Sequence, residues 1–143
     1  MIFTAKAFNE LTSTEVYEIL KARATVFVKE QKIIYVDMDN VDYSARHFFI
    51  SENGEVIAYL RAFYEEEGTV HIGRVLTVRR KEGLGKLVMT EAINDIRKNM
   101  KCERLRLNSQ THAAGFYEGL GFKRVSNEFL IENIPHYTME LEV

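Results

Sequence analysis

The 143-residue chain has a single cysteine, Cys102, and a single proline, Pro135. A lone cysteine rules out an intramolecular disulfide and leaves no cysteine set for a metal site. A reducing, cytosolic location is the expectation that follows. With one proline and eight glycines, no stretch reads as an interdomain linker, and no repeat or low-complexity segment is present. One domain over residues 1–143 is expected, long enough to bury a real core. No apolar run approaches the ~18 residues needed to span a bilayer. The opening residues, Met1 to Lys6, show no charged leader followed by a long apolar region. No membrane partner is therefore expected. Basic character is missing too: a net charge of −2 and a pI near 6.1 argue against a nucleic-acid-binding face. What is present, 46% hydrophobic and 28% charged residues, is the composition of a soluble globular protein.

Hydrophobic periodicity divides the chain into alternating elements. Ile2 to Phe8 reads as a strand. Thr12 and Glu15 form a capping box that opens a helix, whose apolar stripe at Val16, Ile19, Leu20 and Phe27 is broken by Arg23. Asp37 to Arg46 is acidic and polar, as a loop would be. His47 to Ser51 and Glu55 to Tyr64 form strands around the hairpin signal Asn53-Gly54. Glu65 to Gly68 is a second turn and leads into a strand over Thr69 to Val78. A long helix follows from about Gly83 to Asn99, with Leu84, Leu87, Val88, Ala92 and Ile96 on one face. Arg104 to Ser109 alternates as a strand, Ala113 to Leu120 is a short helix, and Gly121 is placed to stop it. Phe122 to Leu130 is extended. Tyr137, Met139, Leu141 and Val143 alternate with polar residues, predicting a half-exposed final strand whose edge could pair with another subunit. Monomer and homodimer both stay open. A meander, then a strand–helix–strand crossover, then a helix and a hairpin make a mixed α/β sheet with helices on its faces.

The turn between the fourth strand and the long helix carries the chemistry. Arg80-Lys81-Glu82-Gly83-Leu84-Gly85-Lys86 places glycines and cations where a helix begins. Free N–H groups of a first helical turn, with the helix dipole behind them, attract an anion such as a pyrophosphate. The dinucleotide pattern G-x-G-x-x-G fails because Val88 occupies its third glycine. The P-loop pattern fails because Leu87 follows Gly85-Lys86 and Glu82 precedes Gly83. What fits is R-x-x-G-x-G, which resembles the acetyl-CoA pyrophosphate loop of the GNAT acetyltransferase superfamily. A second stretch agrees. Asn108 ends a strand, and Phe116-Tyr117-Glu118-Gly119-Leu120-Gly121-Phe122 is similar to that superfamily's F-Y-x-x-x-G-F helix end.

Further segments narrow the resemblance to ElaA-like acetyltransferases. These are Arg23 to Gln31, Asp39-Asn40-Val41-Asp42 with His47, Ala58 to Arg61, Ile72 to Val75, Leu107 to His112 and Ile134-Pro135-His136. One departure stands out. Between Val75 and Arg80 the family has a longer connection with a proline, and this chain is about two residues shorter there. The resemblance implies the GNAT fold: a mixed, mostly antiparallel central sheet splayed around the cofactor cleft, with helices on both faces. It implies transfer of an acetyl group from acetyl-CoA to an amine, with no metal. The acceptor would be a small molecule or a peptide.

An ammonium cannot attack a thioester, so the amine must first lose a proton, and the departing thiolate benefits from gaining one. Tyr117 matches the superfamily tyrosine that protonates the thiolate; as a residue it could equally be a core aromatic beside Phe116. For the proton acceptor the candidates are His112 and Glu30, while His47 and His136 could serve as structural histidines. Leu76, Thr77 and Val78 are expected to hold the pantetheine arm and polarise the thioester through main-chain groups. The cofactor set is completed by Arg80, Lys81, Glu82, Gly83, Leu84, Gly85, Lys86, Asn108 and Tyr117. Gly73, isolated in a strand, marks either a bulge or a close packing contact. Arg23, Arg61 and Arg74 interrupt apolar elements and need acidic partners, with Glu30, Asp39 and Asp42 available. Asp39 and Asp42 serve either that network or an acidic acceptor pocket. Two rival functions share these features: acyl-homoserine lactone synthesis, on a related fold, and a non-catalytic acetyl-CoA sensor.

Overall fold

In the computed structural model, residues 1–31 and 36–143 are described, Glu30 by its backbone alone. Strands β1 (Ile2–Ala7), β2 (Arg46–Glu52), β3 (Glu55–Glu66) and β4 (Thr69–Thr77) form an antiparallel meander. The β2–β3 turn has both central residues left-handed, Asn53 at φ 54° and Gly54 at 80°, as a two-residue hairpin of this twist requires. Helix α2 (Leu84–Asn99) crosses over to β5 (Arg104–Gln110), which runs parallel to β4. A short helix, α3 (Ala114–Gly119), and strands β6 (Lys123–Arg124), β7 (Phe129–Ile131) and β8 (Ile134–Glu142) complete the chain. The sheet order is β1-β2-β3-β4-β5-β8-β6, with β7 also on β8.

The final strand is not an edge. β8 pairs with β5 on one side and with β6 and β7 on the other, so among the described strands the path ends at β1 and β6. The expectation that it offers a free edge to another subunit is therefore corrected. Its alternation is that of a strand whose exposed face looks outward, and which neighbours it has is set by chain segments distant in sequence.

Helix α1 (Ser13–Arg23) begins at the expected capping box. Glu15 N–H donates to Thr12 Oγ1 at 3.1 Å, and Thr12 N–H donates to Glu15 Oε1 at 2.8 Å. Arg23, read as a break in the apolar stripe, sits on the buried face with no exposed surface. The helix continues as a π-helical stretch, Ala24–Glu30, which no periodicity announced. Such stretches concentrate at functional sites.

The sheet packs on both faces. Ile19, Ala22, Val26 and Phe27 cover Phe49, Tyr59 and Leu76 on one side. Leu84, Val88, Met89, Ala92, Ile93 and Ile96 of α2 cover Phe48, Ile50, Leu60 and Leu105 on the other. Consecutive residues Phe48 and Phe49 thus enter opposite cores, as the strand period of two dictates. Leu87 departs from the expected stripe: it is 41% exposed, because the α2 seam is centred on Val88, Ala92 and Ile96, with Leu87 across the helix from them. Among the described residues no helix is long and apolar enough to cross a membrane.

Candidate active site

The site arises where two parallel strands stop pairing. β4 and β5 are in register only at Thr69–Arg104, Val70–Leu105 and His71–Arg106. Beyond His71 the ladder to β3 slips: Tyr59 faces Leu76 and Arg61 faces Gly73, so Arg74 and Val75 together oppose Leu60. This is the bulge that Gly73 was read to mark, and the left-handed residue in it is Arg74, at φ 54°. A close-packing role for Gly73 is not needed, since an added Cβ would meet nothing nearer than 3.9 Å. The bulge bends β4 away from β5 and opens a cleft of about 510 Å³. His71 to Val75 line it from β4, Leu107 to Gln110 from β5, His112 and Tyr117 from the α3 side, and Glu132 and His136 from the β7–β8 hairpin. Phe27, within the π-helical stretch, and Gln31, just after it, reach the same cleft.

The glycine-bearing turn adjoins this cleft rather than lining it. Lys81 (φ 62°) and Gly83 (φ 71°) are both left-handed, and Gly83 caps α2 with no side-chain hydrogen bond. The first helical bond runs from Leu87 N–H to Gly83 O at 3.1 Å. The main-chain N–H groups of Leu84, Gly85 and Lys86 thus have no intrahelical acceptor, which is the arrangement an anion uses. Gly85 links the turn to the rest of the site: a Cβ there would lie 3.4 Å from the Phe116 ring and 3.8 Å from Thr77. Phe116 faces the turn and its neighbour Tyr117 faces the cleft. Val78 N–H donates to Ile57 O at 2.9 Å, so that amide is spent within the sheet. Antiparallel alternation then turns the Thr77 main chain toward the open side. Glu82 is drawn to Arg79, which also binds Glu52 at 3.1–3.2 Å.

Asn108 is exposed and its Oδ1 accepts from Thr138 Oγ1 at 2.9 Å. Tyr117 is wedged edge-on between Phe116 and Phe122, at centroid distances of 5.1 and 6.0 Å. Burial pushes its phenol up to about 12, so it stays protonated and has a proton to donate at neutral pH. His112 is exposed, with Nε2 2.7 Å from Gln110 Oε1. The Glu30 side chain lies outside the described residues. Both ring nitrogens of His47 are engaged: Nε2–H donates to Asp42 O at 2.9 Å, and Nδ1 accepts from Tyr59 O–H at 2.6 Å. Among the described residues no group of three His, Cys, Asp or Glu could hold a metal ion.

The three interrupting arginines converge on one acidic loop. Arg23 binds Asp42 at 2.7 Å and Asp37 at 2.9 Å, and Arg61 clamps Asp39 at 2.7 and 2.8 Å. Arg74 binds Asp37 at 2.9 Å, which ties the left-handed bulge residue to the loop. Asp37, outside the expected partners Glu30, Asp39 and Asp42, is central here, bonded to both Arg23 and Arg74. The hydrogen bond from Arg61 holds the Asp39 carboxyl far below the carboxylate range. Burial pushes Asp42 up, but hydrogen bonds from Arg23 and Arg61 outweigh it and hold it low. Both acids are therefore paired with buried arginines.

Burial also lowers the pKa of His47 and His71. Below the free value near 6.5 the unfolded chain thus binds more protons than the folded one, and stability falls as pH drops. A further loss follows below about pH 4, as Asp39 and Asp42 take up protons that the unfolded chain binds more tightly. Urea midpoints are expected to fall between about pH 8 and 5, and the His47→Gln variant is expected to lose part of that slope. Midpoints that do not change over this range would contradict the assignment.

This geometry has counterparts in known proteins. A model of the acetyltransferase (GNAT) domain matches residues 11–143. A UPF0039 protein of Schizosaccharomyces pombe is 37% identical, covering 99% of this chain and 97% of its own. Protein ElaA of Escherichia coli is 31% identical over 94% of this chain and 92% of its own, and its crystal structure superposes with a TM-score of 0.90. The structure of an acyl-CoA N-acyltransferase from Pseudomonas aeruginosa, 33% identical, covers 98% of this chain and 99% of its own at a TM-score of 0.92. A CoA-dependent acyl-homoserine lactone synthase shares the fold at a TM-score of 0.79, but at 16% identity the likeness is one of architecture alone. Splayed sheet, R-x-x-G-x-G turn and family match coincide, and the chain belongs to the GNAT acetyltransferase family, close to ElaA and the UPF0039 proteins.

Proposed function

We propose that this protein moves an acetyl group from acetyl-CoA to a primary amine, by direct attack within a ternary complex. The observation that carries the reading is the juxtaposition of an uncapped helix turn, a strand gap and a tyrosine hydroxyl. The N–H groups of Leu84, Gly85 and Lys86, with Arg80, Lys81, Gly83 and Lys86 around them, suit a pyrophosphate. Glu82 contributes only main chain, since its carboxylate is paired with Arg79. The pantetheine arm enters the gap along Leu76, Thr77 and Val78 and faces Asn108 across it. Of those three residues, Thr77 supplies the main-chain contact on the open side, because the Val78 amide is already bonded.

In the gap the amine nitrogen, freed of a proton by a histidine of the cleft, attacks the thioester carbon. The C–S bond breaks, and Tyr117 O–H gives its proton to the sulfur. Its neighbours Phe116 and Phe122 hold the ring that carries that hydroxyl. Glu132 is the one cleft acid of the described residues with no cation partner; Asp39 is clamped by Arg61. The acceptor amine is accordingly cationic before it reacts, drawn in by Glu132. Glu132→Gln is expected to raise the acceptor KM about three- to tenfold at low salt, with turnover within about twofold and the effect shrinking at high salt. An unchanged KM would remove Glu132 from the acceptor site. A cytosolic location belongs to the same proposal and rests on the lone Cys102.

An acetyl-CoA-dependent thiol-release screen over polyamines, amino sugars, peptide N-termini and lysine tests the reading. Turnover with at least one amine is the expected result. Saturable acetyl-CoA binding with no turnover on any amine would indicate a sensor, and tight binding of S-adenosylmethionine would indicate a lactone synthase.

A further inference from the structure

We infer that His136, rather than His112 at the cleft rim, takes the proton from the acceptor ammonium. The inference rests on the acyl-transfer reading and deepens it. Four histidines occur in the chain, and burial, position and ring-nitrogen partners separate them. His47 has both nitrogens committed, to Asp42 O and Tyr59 O–H. His71 lies at the apex where β4 and β5 part, stacked on Phe63, with Nδ1 3.1 Å from a Glu65 carboxylate oxygen. His112 is exposed at the rim, and its one tether is the rotatable side chain of Gln110.

His136 combines the properties a proton acceptor needs. It is 8% exposed, so its ring is held by packing. It lies on β8 directly opposite Gln110 of β5 and opposite Phe129 of β7, whose ring sits 6.3 Å away. Its Nδ1 is 2.7 Å from Ile134 O. A carbonyl only accepts, so Nδ1 carries the hydrogen and the neutral ring keeps its lone pair on Nε2. No described residue bonds Nε2, the atom is not sealed from solvent, and His136 lines the cleft. A main-chain anchor two residues away fixes the tautomer without a second side chain. The other titratable or charged groups on this cleft are Asp39, His71, Arg74, His112, Tyr117 and Glu132.

The ammonium gives one proton to His136 Nε2, and the resulting amine attacks the thioester carbon to form the new C–N bond. As the C–S bond breaks, Tyr117 protonates the sulfur and the remaining excess N–H proton restores the phenol. The products are the amide, free CoA thiol and imidazolium, which then releases its proton to solvent.

The test compares the wild type, His136→Asn and His112→Ala on an amine that the wild type acetylates. Asparagine can still donate to Ile134 O but has no basic lone pair. For His136→Asn, kcat/KM at neutral pH is expected to fall about 100-fold or more. The histidine-controlled ascending limb of its pH–rate profile should vanish, with acetyl-CoA affinity unchanged. His112→Ala should keep that limb. Should His136→Asn fail to fold, His136→Ala with added imidazole replaces it; recovery of rate supports the assignment and absence of recovery overturns it. A preserved limb in His136→Asn overturns His136 alone. A wild type that turns over no amine overturns His136 and the acyl-transfer reading together.

Discussion

Tyr117→Phe is expected to lower turnover about 100-fold or more while acetyl-CoA affinity stays within about twofold. The substitution removes one oxygen from a ring whose packing partners, Phe116 and Phe122, are apolar and stay in place. No described residue hydrogen-bonds that oxygen, so no hydrogen bond within the described residues is lost with it. A hydroxyl pushed up to about 12 by burial is a weak acid toward water but adequate toward a departing thiolate held against it. The effect should fall on kcat because the proton moves only as the C–S bond breaks. Steady-state kinetics with a CoA binding titration separates the two quantities. Equal turnover in both proteins would remove Tyr117 from the chemistry and leave it a core aromatic.

Asp42→Ala is expected to cost about 3–5 kcal/mol of stability, the largest effect of any change in the acidic loop. Asp42 Oδ1 accepts from Arg23 at 2.7 Å and from Arg61 at 3.1 Å, and Arg23 has no exposed surface. Truncation leaves Arg23 with Asp37 alone and Arg61 with Asp39 alone, and both guanidiniums are buried. Asp39→Ala should cost less, because the Asp39 side chain is 34% exposed and solvent can replace it beside Arg61. Urea denaturation measures both. A loss below about 1 kcal/mol for Asp42→Ala would show that the network is not held as tightly as its distances suggest. The loop also carries Asp37, which holds the bulge residue Arg74, so a weakened loop should loosen the cleft wall as well.

Much of this was legible in the sequence because its causes are local. The Thr12–Glu15 cap, the Asn53-Gly54 hairpin and the α2 seam are written in neighbouring residues. The bulge of β4 was legible at Gly73 for the same reason. That Arg74 and not Gly73 takes the left-handed conformation was not, because the compensation comes from Asp37, far away in the chain. The interior position of β8 was hidden likewise, since alternation sets which face is buried but not which strands flank it. The π-helical stretch after Arg23 has no period that distinguishes it from α-helix. At the site, Tyr117 and the turn at 80–86 could be found by motif, whereas the difference between His112 and His136 depends on which nitrogen a neighbouring oxygen occupies.

In the proposed function, the turn at Arg80 to Lys86 binds the pyrophosphate of an acyl-CoA beside the β4–β5 gap. Calorimetric titration with acetyl-CoA of the wild type and of a Lys81→Glu/Lys86→Glu double variant tests it most directly. Both lysines are exposed, so folding should not depend on them. The wild type should show saturable one-site binding, and the double variant should bind about tenfold or more weakly, with a smaller dependence on salt. Absence of binding by the wild type, or equal affinity in the two proteins, would contradict the account.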